Sequence, residues 1–140
     1  MLNYKQIIDG FQTVVECHTA GITFSSGPLH WLDASDQNRK FPYIFLRPLT
    51  SPGIQANENN RVFELYSLDV PPLDEGSPTL KMSQTEQYGY DIIGGVLNDY
   101  KQDITITIQN VSPLWESFQD RVCGFLFTIT VSTTQSIPCL

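Results

Sequence analysis

The sequence is short of charge, of cysteine and of long apolar runs. Charged residues make up 16% of the 140-residue chain, where about 25% is usual. No stretch approaches the ~20 consecutive apolar residues of a transmembrane helix, so no membrane span is expected. The three cysteines, Cys17, Cys123 and Cys139, lack the paired Cys-x-x-Cys spacing of a zinc site or a disulfide framework. We interpret them as reduced thiols.

The charge that is present is acidic. The chain has 15 Asp plus Glu against 8 Lys plus Arg, a formal net charge of −7. Only Arg39 and Lys40 are adjacent cations, so the clustered positive charge of a nucleic-acid binder is absent. The segment Met1–Lys5 does not begin a basic region followed by an apolar run, which predicts no secretory signal and a cytoplasmic location.

Hydrophobic periodicity predicts two helices and four strands. Apolar residues at helical spacing predict one helix over 4–18 and another through 88–100, the latter capped by Ser83 or Thr85. Alternating apolar residues predict four strands, over 41–49, 61–70, 104–108 and 122–132. We expect the first two to pair as a hairpin. The order α-β-β-α-β-β predicts an α+β fold with two helices packed on one face of a mainly antiparallel sheet. We expect one domain, 1–132, and a C-terminal arm, 133–140.

Three glycines fall within the second helical pattern, at Gly89, Gly94 and Gly95. Glycine lowers helix propensity, so its repeated use on a stretch rich in Ile and Val needs another explanation. These positions predict a close approach to another backbone.

The sequence offers little to an enzyme. Cys17 and His18 are neighbours on a helix, where their side chains point about 100° apart and do not converge on a metal or a substrate. His30 and Asp33 could form an activated pair, but no Gly-x-Ser-x-Gly nucleophile motif accompanies them. Gly94 and Gly95 lie inside a helix and not between a strand and a helix, so they do not form a phosphate loop. We therefore predict no catalytic residue, no metal site and no cofactor.

Apolar and aromatic residues outside the regular pattern are the main candidates for function. They are anchors for the protein's own core or anchors for an interface, because aromatic residues concentrate at interface centres. The predicted interface residues are Leu29, Trp31, Leu114, Trp115, Phe118 and Ile137. Four acidic residues in two predicted loops form a second set, which could line a channel past which DNA moves without binding: Asp33, Asp36, Asp74 and Glu75.

Several phrases of the sequence, in their order, match a known pattern. They are Tyr4-Lys5-Gln6-Ile7-Ile8, Phe41-Pro42-Tyr43-Ile44, the strand 63–70 and the helix end Leu97-Asn98-Asp99. This arrangement resembles the tail-terminator and tail-completion proteins, the neck-ring proteins of tailed bacteriophages, and most of all those of crAss-like phages. The resemblance implies a non-catalytic virion subunit that forms a hexameric or dodecameric ring and connects portal and tail. Its partners would be copies of itself, neighbouring portal, neck or tail proteins, and DNA that passes through without specific binding.

The resemblance also implies a location in the virion neck or tail, and in the host cytoplasm during assembly. Two alternatives remain open. One is an adaptor or secretion-machinery binding module of a bacterium, and the other is a small hydrolase using His30 and Asp33. The segment 111–121 is interpreted as an irregular excursion without an assigned role.

Overall fold

A computed structural model describes residues 4–27, 41–49, 53–55, 58–70, 79–100, 104–117 and 122–134. The described elements, in chain order, are α1 (Tyr4–Cys17), β1 (Thr23–Ser26), β2 (Tyr43–Pro48), β3 (Gly53–Gln55), β4 (Glu58–Asp69), α2 (Thr79–Asp99), β5 (Ile104–Ser117) and β6 (Val122–Thr134). The fold is α+β, as predicted. Within these ranges no helix is both long and apolar enough to cross a membrane.

The predicted order α-β-β-α-β-β is wrong, because the chain forms two further short strands. The four-residue β1 pairs parallel to β2, with Thr23 opposite Tyr43. The three-residue β3 pairs antiparallel to the first residues of β4, with Gly53 opposite Asn60. Alternation over three or four residues is too brief to be recognised in a sequence.

The strands form one sheet in the order β1-β2-β4-β6-β5, with β3 beside β4. All pairings except β1 with β2 are antiparallel. The predicted pairing of the strands expected over 41–49 and 61–70 is confirmed. They correspond to β2 and β4, and Tyr43 of β2 lies opposite Leu68 of β4. This order places β1 and β5 at its two ends, while the short β3 has β4 as its one described neighbour.

Both helices pack on one face of the sheet, which we call the helix-packed face. Alternate residues of each strand point to this face, and they meet an apolar stripe from each helix. Phe11 of α1 and Phe127 of β6 are both 0% exposed at this contact. The buried core comprises Ile7, Phe11, Val15, Ile22, Ile44, Leu46, Phe63, Leu65, Ile92, Ile93, Val96, Ile104, Phe127, Ile129 and Val131.

The glycines of α2 differ in their surroundings. A Cβ built on Gly95 would lie 2.6 Å from Val14 Cγ1 of α1, and one on Gly89 would overlap the Phe127 ring. A Cβ on Gly94 would meet nothing within 4 Å. Close approach is therefore found at two of the three positions, and the neighbours there are side chains and not backbone.

Several element boundaries differ from the expected ones, and three of them bear on the sequence interpretation. α2 begins at Thr79, ahead of the predicted caps Ser83 and Thr85. β5 continues to Ser117 through the segment interpreted as an excursion, because it stays paired with β6 across two register shifts that hid the alternation. β6 runs to Thr134, two residues past the expected strand end at 132.

Candidate functional site

The strand β5 is a long edge strand without charge in most of its length. It pairs with β6 on one side, and no other described strand pairs with it. The residues from Ile104 to Trp115 include no Asp, Glu, Lys or Arg. Proteins usually protect a long edge strand from other chains with charged residues, and lysine above all. β5 lacks that protection.

The middle of β5 is exposed on both faces of the sheet. Thr107, Gln109 and Asn110 are exposed. Ile108 is one of the few large apolar residues that the described part of the chain exposes, with 37% of its area accessible. Ile108 lies opposite Ile129 of β6, so it points to the helix-packed face but beyond the area that the helices cover. A long edge strand with unpaired backbone groups is a template for pairing with another chain.

The opposite edge, β1, is also uncharged. The described stretch from Thr19 to Gly27 holds no ionisable acid or base. Phe24 packs partly against the core of the helix-packed face. The two ends of one sheet are therefore both neutral, in a chain whose net charge is −7.

The second face of the sheet, opposite the helices, has an apolar part and a polar part. Its apolar cluster is Tyr43, Phe45, Tyr66 and Leu68, with Phe41, Leu114 and Leu126 packed against it. The polar part lies on β5 and β6, where Thr107 is opposite Thr130 and Thr105 is opposite Ser132. The Thr130 hydroxyl is buried and has no hydrogen-bond partner. Uncharged hydroxyl groups thus cover the sheet next to the β5 edge.

One charged cluster stands at the border between these two parts. Arg47 Nη1 donates to Glu64 Oε1 at 2.7 Å, and Tyr66 Oη donates to the same oxygen at 3.1 Å. Burial, together with the negative charge of Glu64, raises the pKa of Tyr66 to about 12. The charges of this cluster are satisfied within the chain.

A second cluster joins α1 to α2. His18 Nδ1 accepts from the Ala20 N–H at 3.1 Å, so its Nε2 carries the proton that it donates to Asp91 Oδ2 at 3.0 Å. Gln87 Nε2 donates to Asp91 Oδ1 at 2.7 Å. Burial opposes ionisation of Asp91, but these two hydrogen bonds outweigh it, and the pKa of the carboxyl is lowered. His18 is held by neighbours at both nitrogens and serves as a link between helices.

The groove beside His18 is open and has a volume of about 280 Å³. Cys17, Asp99 and Thr13 line it together with His18. In the described part of the chain no three His, Cys, Asp or Glu residues are grouped to hold a metal ion. His18, the imidazole of this groove, is already hydrogen-bonded to Asp91 and to the Ala20 N–H.

The sequence-predicted site residues are mostly outside the described ranges. This applies to Leu29, Trp31, Phe118 and Ile137 of the interface set, to all four acidic residues, Asp33, Asp36, Asp74 and Glu75, and to His30. Leu114 is half-buried on β5 in the second-face cluster. Trp115 also lies on β5, so the strand replaces the predicted loop at both positions.

The exposed edge itself was missed by the sequence analysis, although a signal was present. Ile104–Ile108 was recognised as a strand with one buried face. The lack of charge from Ile104 to Trp115 could have marked it as an unprotected edge, but the position of a strand within a sheet depends on distant pairings that periodicity does not report.

Comparison with known proteins gives no name to the function. No family model and no curated protein matches the chain. Among 30 matching chains of solved structures, one whose name is only a sequence identifier shares 13% identity with a TM-score of 0.45. The match covers 99% of each chain.

Proposed function

We propose that this chain is a structural subunit of a phage virion, which assembles into a ring at the neck or tail, connects portal and tail, and guides or retains DNA. The observation that carries the proposal is the uncharged, solvent-exposed edge strand β5. Each subunit of a ring needs two different contact surfaces, because one surface of each copy binds the other surface of the next copy. The two neutral edges of the sheet, β5 and β1, are such a pair.

The pairing of cations supports the idea that DNA passes without being held. Lys5 Nζ lies 2.9 Å from Asp9, Arg47 Nη1 lies 2.7 Å from Glu64 and Lys81 Nζ lies 3.3 Å from Asp69. Arg61, the remaining cation of the described ranges, is 8% exposed. Affinity for DNA comes mainly from cations that are free to neutralise phosphates. The described surface has little to offer a phosphate backbone.

The phage location and the connection of portal to tail follow from the resemblance in the sequence. The proposal is tested by native mass and by class averages of the purified protein in the electron microscope. We expect a closed ring. A protein that remains a monomer at high concentration, and is absent from dissociated virions, would overturn it.

The acidic set Asp33, Asp36, Asp74 and Glu75 gives a second test of the same function. If these carboxylates line the channel, reversing their charge to Lys places cations where DNA passes. Phage that carries the charge-reversed protein is then expected to eject its DNA more slowly or to retain a different amount of packaged DNA. Unaltered ejection and retention would remove DNA guidance from the proposal and leave the ring.

A further inference from the structure

We infer that β5 of one copy pairs antiparallel with β1 of the next copy, so that the sheet continues from subunit to subunit around the ring. This inference rests on the proposed function and names the contact that builds the ring. The occupant of the β5 edge is a second copy of this chain. The argument comes from the backbone groups that the two edges turn outward.

On β1, the outward groups are those of Phe24 and Ser26. The Thr23 N–H donates to the Pro42 C=O at 3.0 Å, and the Gly27 N–H donates to the Leu46 C=O at 3.2 Å. In a parallel pair, every second residue of a strand bonds to a given neighbour, so Thr23, Ser25 and Gly27 face β2. The N–H and C=O groups of the two residues between them point away from the sheet.

On β5, the outward groups are those of Ile106 and Ile108. The Ile104 N–H donates to the Tyr100 C=O at 3.0 Å, so it does not donate to Thr133, the residue opposite it on β6. In an antiparallel pair, residues that exchange both hydrogen bonds alternate with residues that exchange none. Ile106 and Ile108 therefore share the alternation of Ile104 and turn their backbone groups outward.

The regular part of β5 is one residue longer than β1. A register shift at Gln109 ends the first regular segment after Ile108, and Pro113 in the next segment has no N–H to donate. The segment Ile104–Ile108 is thus the part of β5 best suited to accept another strand. The four residues of β1 fit within its five.

The two edges fit each other in one antiparallel register. Ile106 lies opposite Ser26 of the next copy, and Ile108 lies opposite Phe24 of the next copy. Each of these residues brings one outward N–H and one outward C=O, so every outward group of these four residues finds a partner. Directly opposite residues lie on the same face of a sheet, and Ile108 and Phe24 both belong to the helix-packed face. Phe24 would cover the exposed Ile108.

Strand direction and charge favour a second copy over an unrelated strand. Following the pairings across the sheet, β1 and β5 run in opposite directions. A copy rotated about an axis along the strands therefore presents its β1 antiparallel to β5, with its helices on the same side. Both edges are neutral, so the paired residues of β5 and β1 place no like charges opposite each other.

A cross-linking experiment tests the register. In a background with Cys17→Ser and Cys139→Ser, the pair Ser26→Cys and Ile106→Cys places one thiol on each edge. Opposite residues that share hydrogen bonds have Cα atoms about 5.5 Å apart, within the disulfide range of about 4.4–6.8 Å. On oxidation we expect a ladder of covalent dimers, trimers and larger species up to the closed ring on a non-reducing gel.

The control pair is Ser26→Cys with Thr105→Cys. Thr105 is a neighbour on the same strand, but it points to the second face, so its thiol should not reach the residue at position 26 of the next copy. No ladder is expected from this pair. The single variant Ile106→Cys should also give no dimer, whereas pairing of β5 with β5 of a second copy would cross-link it. Such a dimer, or a ladder from the control pair, would overturn the inference.

A charge on the edge gives an independent readout. The variant Ile108→Lys adds a protecting cation to the exposed edge, and we expect it to be a folded monomer at concentrations where the unchanged protein is a ring. Circular dichroism checks that Ile108→Lys folds. If it does not fold, the cross-linking experiment alone tests the contact. If Ile108→Lys still forms a ring and the cysteine pair at positions 26 and 106 does not cross-link, this contact is refuted and the proposed function stays intact. A monomeric unchanged protein would refute both.

Discussion

Gly89 of α2 lies directly against the buried ring of Phe127, with no room between them for a methyl group. Phe127 is 0% exposed, so its ring would have to shift within the packed core to admit the added Cβ. Gly89→Ala is expected to destabilise the protein by about 1–3 kcal/mol, the usual effect of overpacking a core. Urea unfolding monitored by circular dichroism measures this change.

The matched control is Gly94→Ala on the same helix. Nothing lies within 4 Å of the added Cβ, so the better helix propensity of alanine should stabilise the protein by up to ~1 kcal/mol. Equal effects of the two substitutions would contradict the packing described for α2.

Ser67 ties β4 to the first half of α2. Its Oγ donates to the Thr85 C=O at 2.7 Å, and the residue is 1% exposed. Ser67→Ala removes a buried hydrogen bond, which should lower the free energy of unfolding by about 1 kcal/mol. Ser83→Ala, at an exposed position of the same helix, should leave it unchanged or slightly raised. The result would be contradicted if the two variants unfold at the same urea concentration.

The link between His18 and Asp91 makes stability depend on acid pH. The folded-state pKa of Asp91 is lowered from 3.8, so the stabilisation it provides is present above that pH and is lost as the pH falls through the lower folded value. The melting temperature of Asp91→Asn should therefore lie below that of the unchanged protein at about pH 5, and the gap should close toward about pH 2.

The effect should be small, because the Asp91 side chain is 38% exposed and solvent screens its interactions. Asp9→Asn on α1, whose carboxylate pairs with the exposed Lys5, is the charge-matched control. A gap for Asp91→Asn that stays constant throughout the acid range would argue against the link.

Tyr66 should resist ionisation at alkaline pH. Its pKa is raised to about 12, first by burial and then by the charge of Glu64. A raised folded pKa means that the stabilisation is present below the ordinary value of 10.0 and is lost as the pH rises toward the folded value. An ultraviolet titration should show a late phenolate step that Tyr66→Phe lacks. A late step of unchanged size in Tyr66→Phe would count against this assignment.

Much of the fold could be predicted from the sequence because its long elements repeat their pattern. The helical spacing that begins at Tyr4 gave α1 within one residue of its observed end at Cys17. β1 and β3 were missed because three or four residues are too few for a pattern, and they form through pairing with β2 and β4. The end of β5 was missed because its register shifts break the alternation near Pro113.

The candidate site was harder to predict, because it is a property of the assembled sheet. In the sequence, the pattern around Ile108 predicts only that it belongs to an alternating strand. Only the strand order places it at an edge, opposite Ile129 and outside the cover of the helices. The aromatic residues chosen from the sequence, Trp31 and Phe118, lie outside the described ranges, and Trp115 belongs to β5. Their part in an interface stays a prediction.

The mass of the purified protein in solution tests the central claim most directly. Native mass spectrometry across a range of concentrations, with class averages of the same sample, reports whether the chain forms a closed ring. The account predicts one closed species of several copies, with monomer appearing only on dilution. A monomer at every concentration, or an open series of aggregates without a closed size, would contradict it.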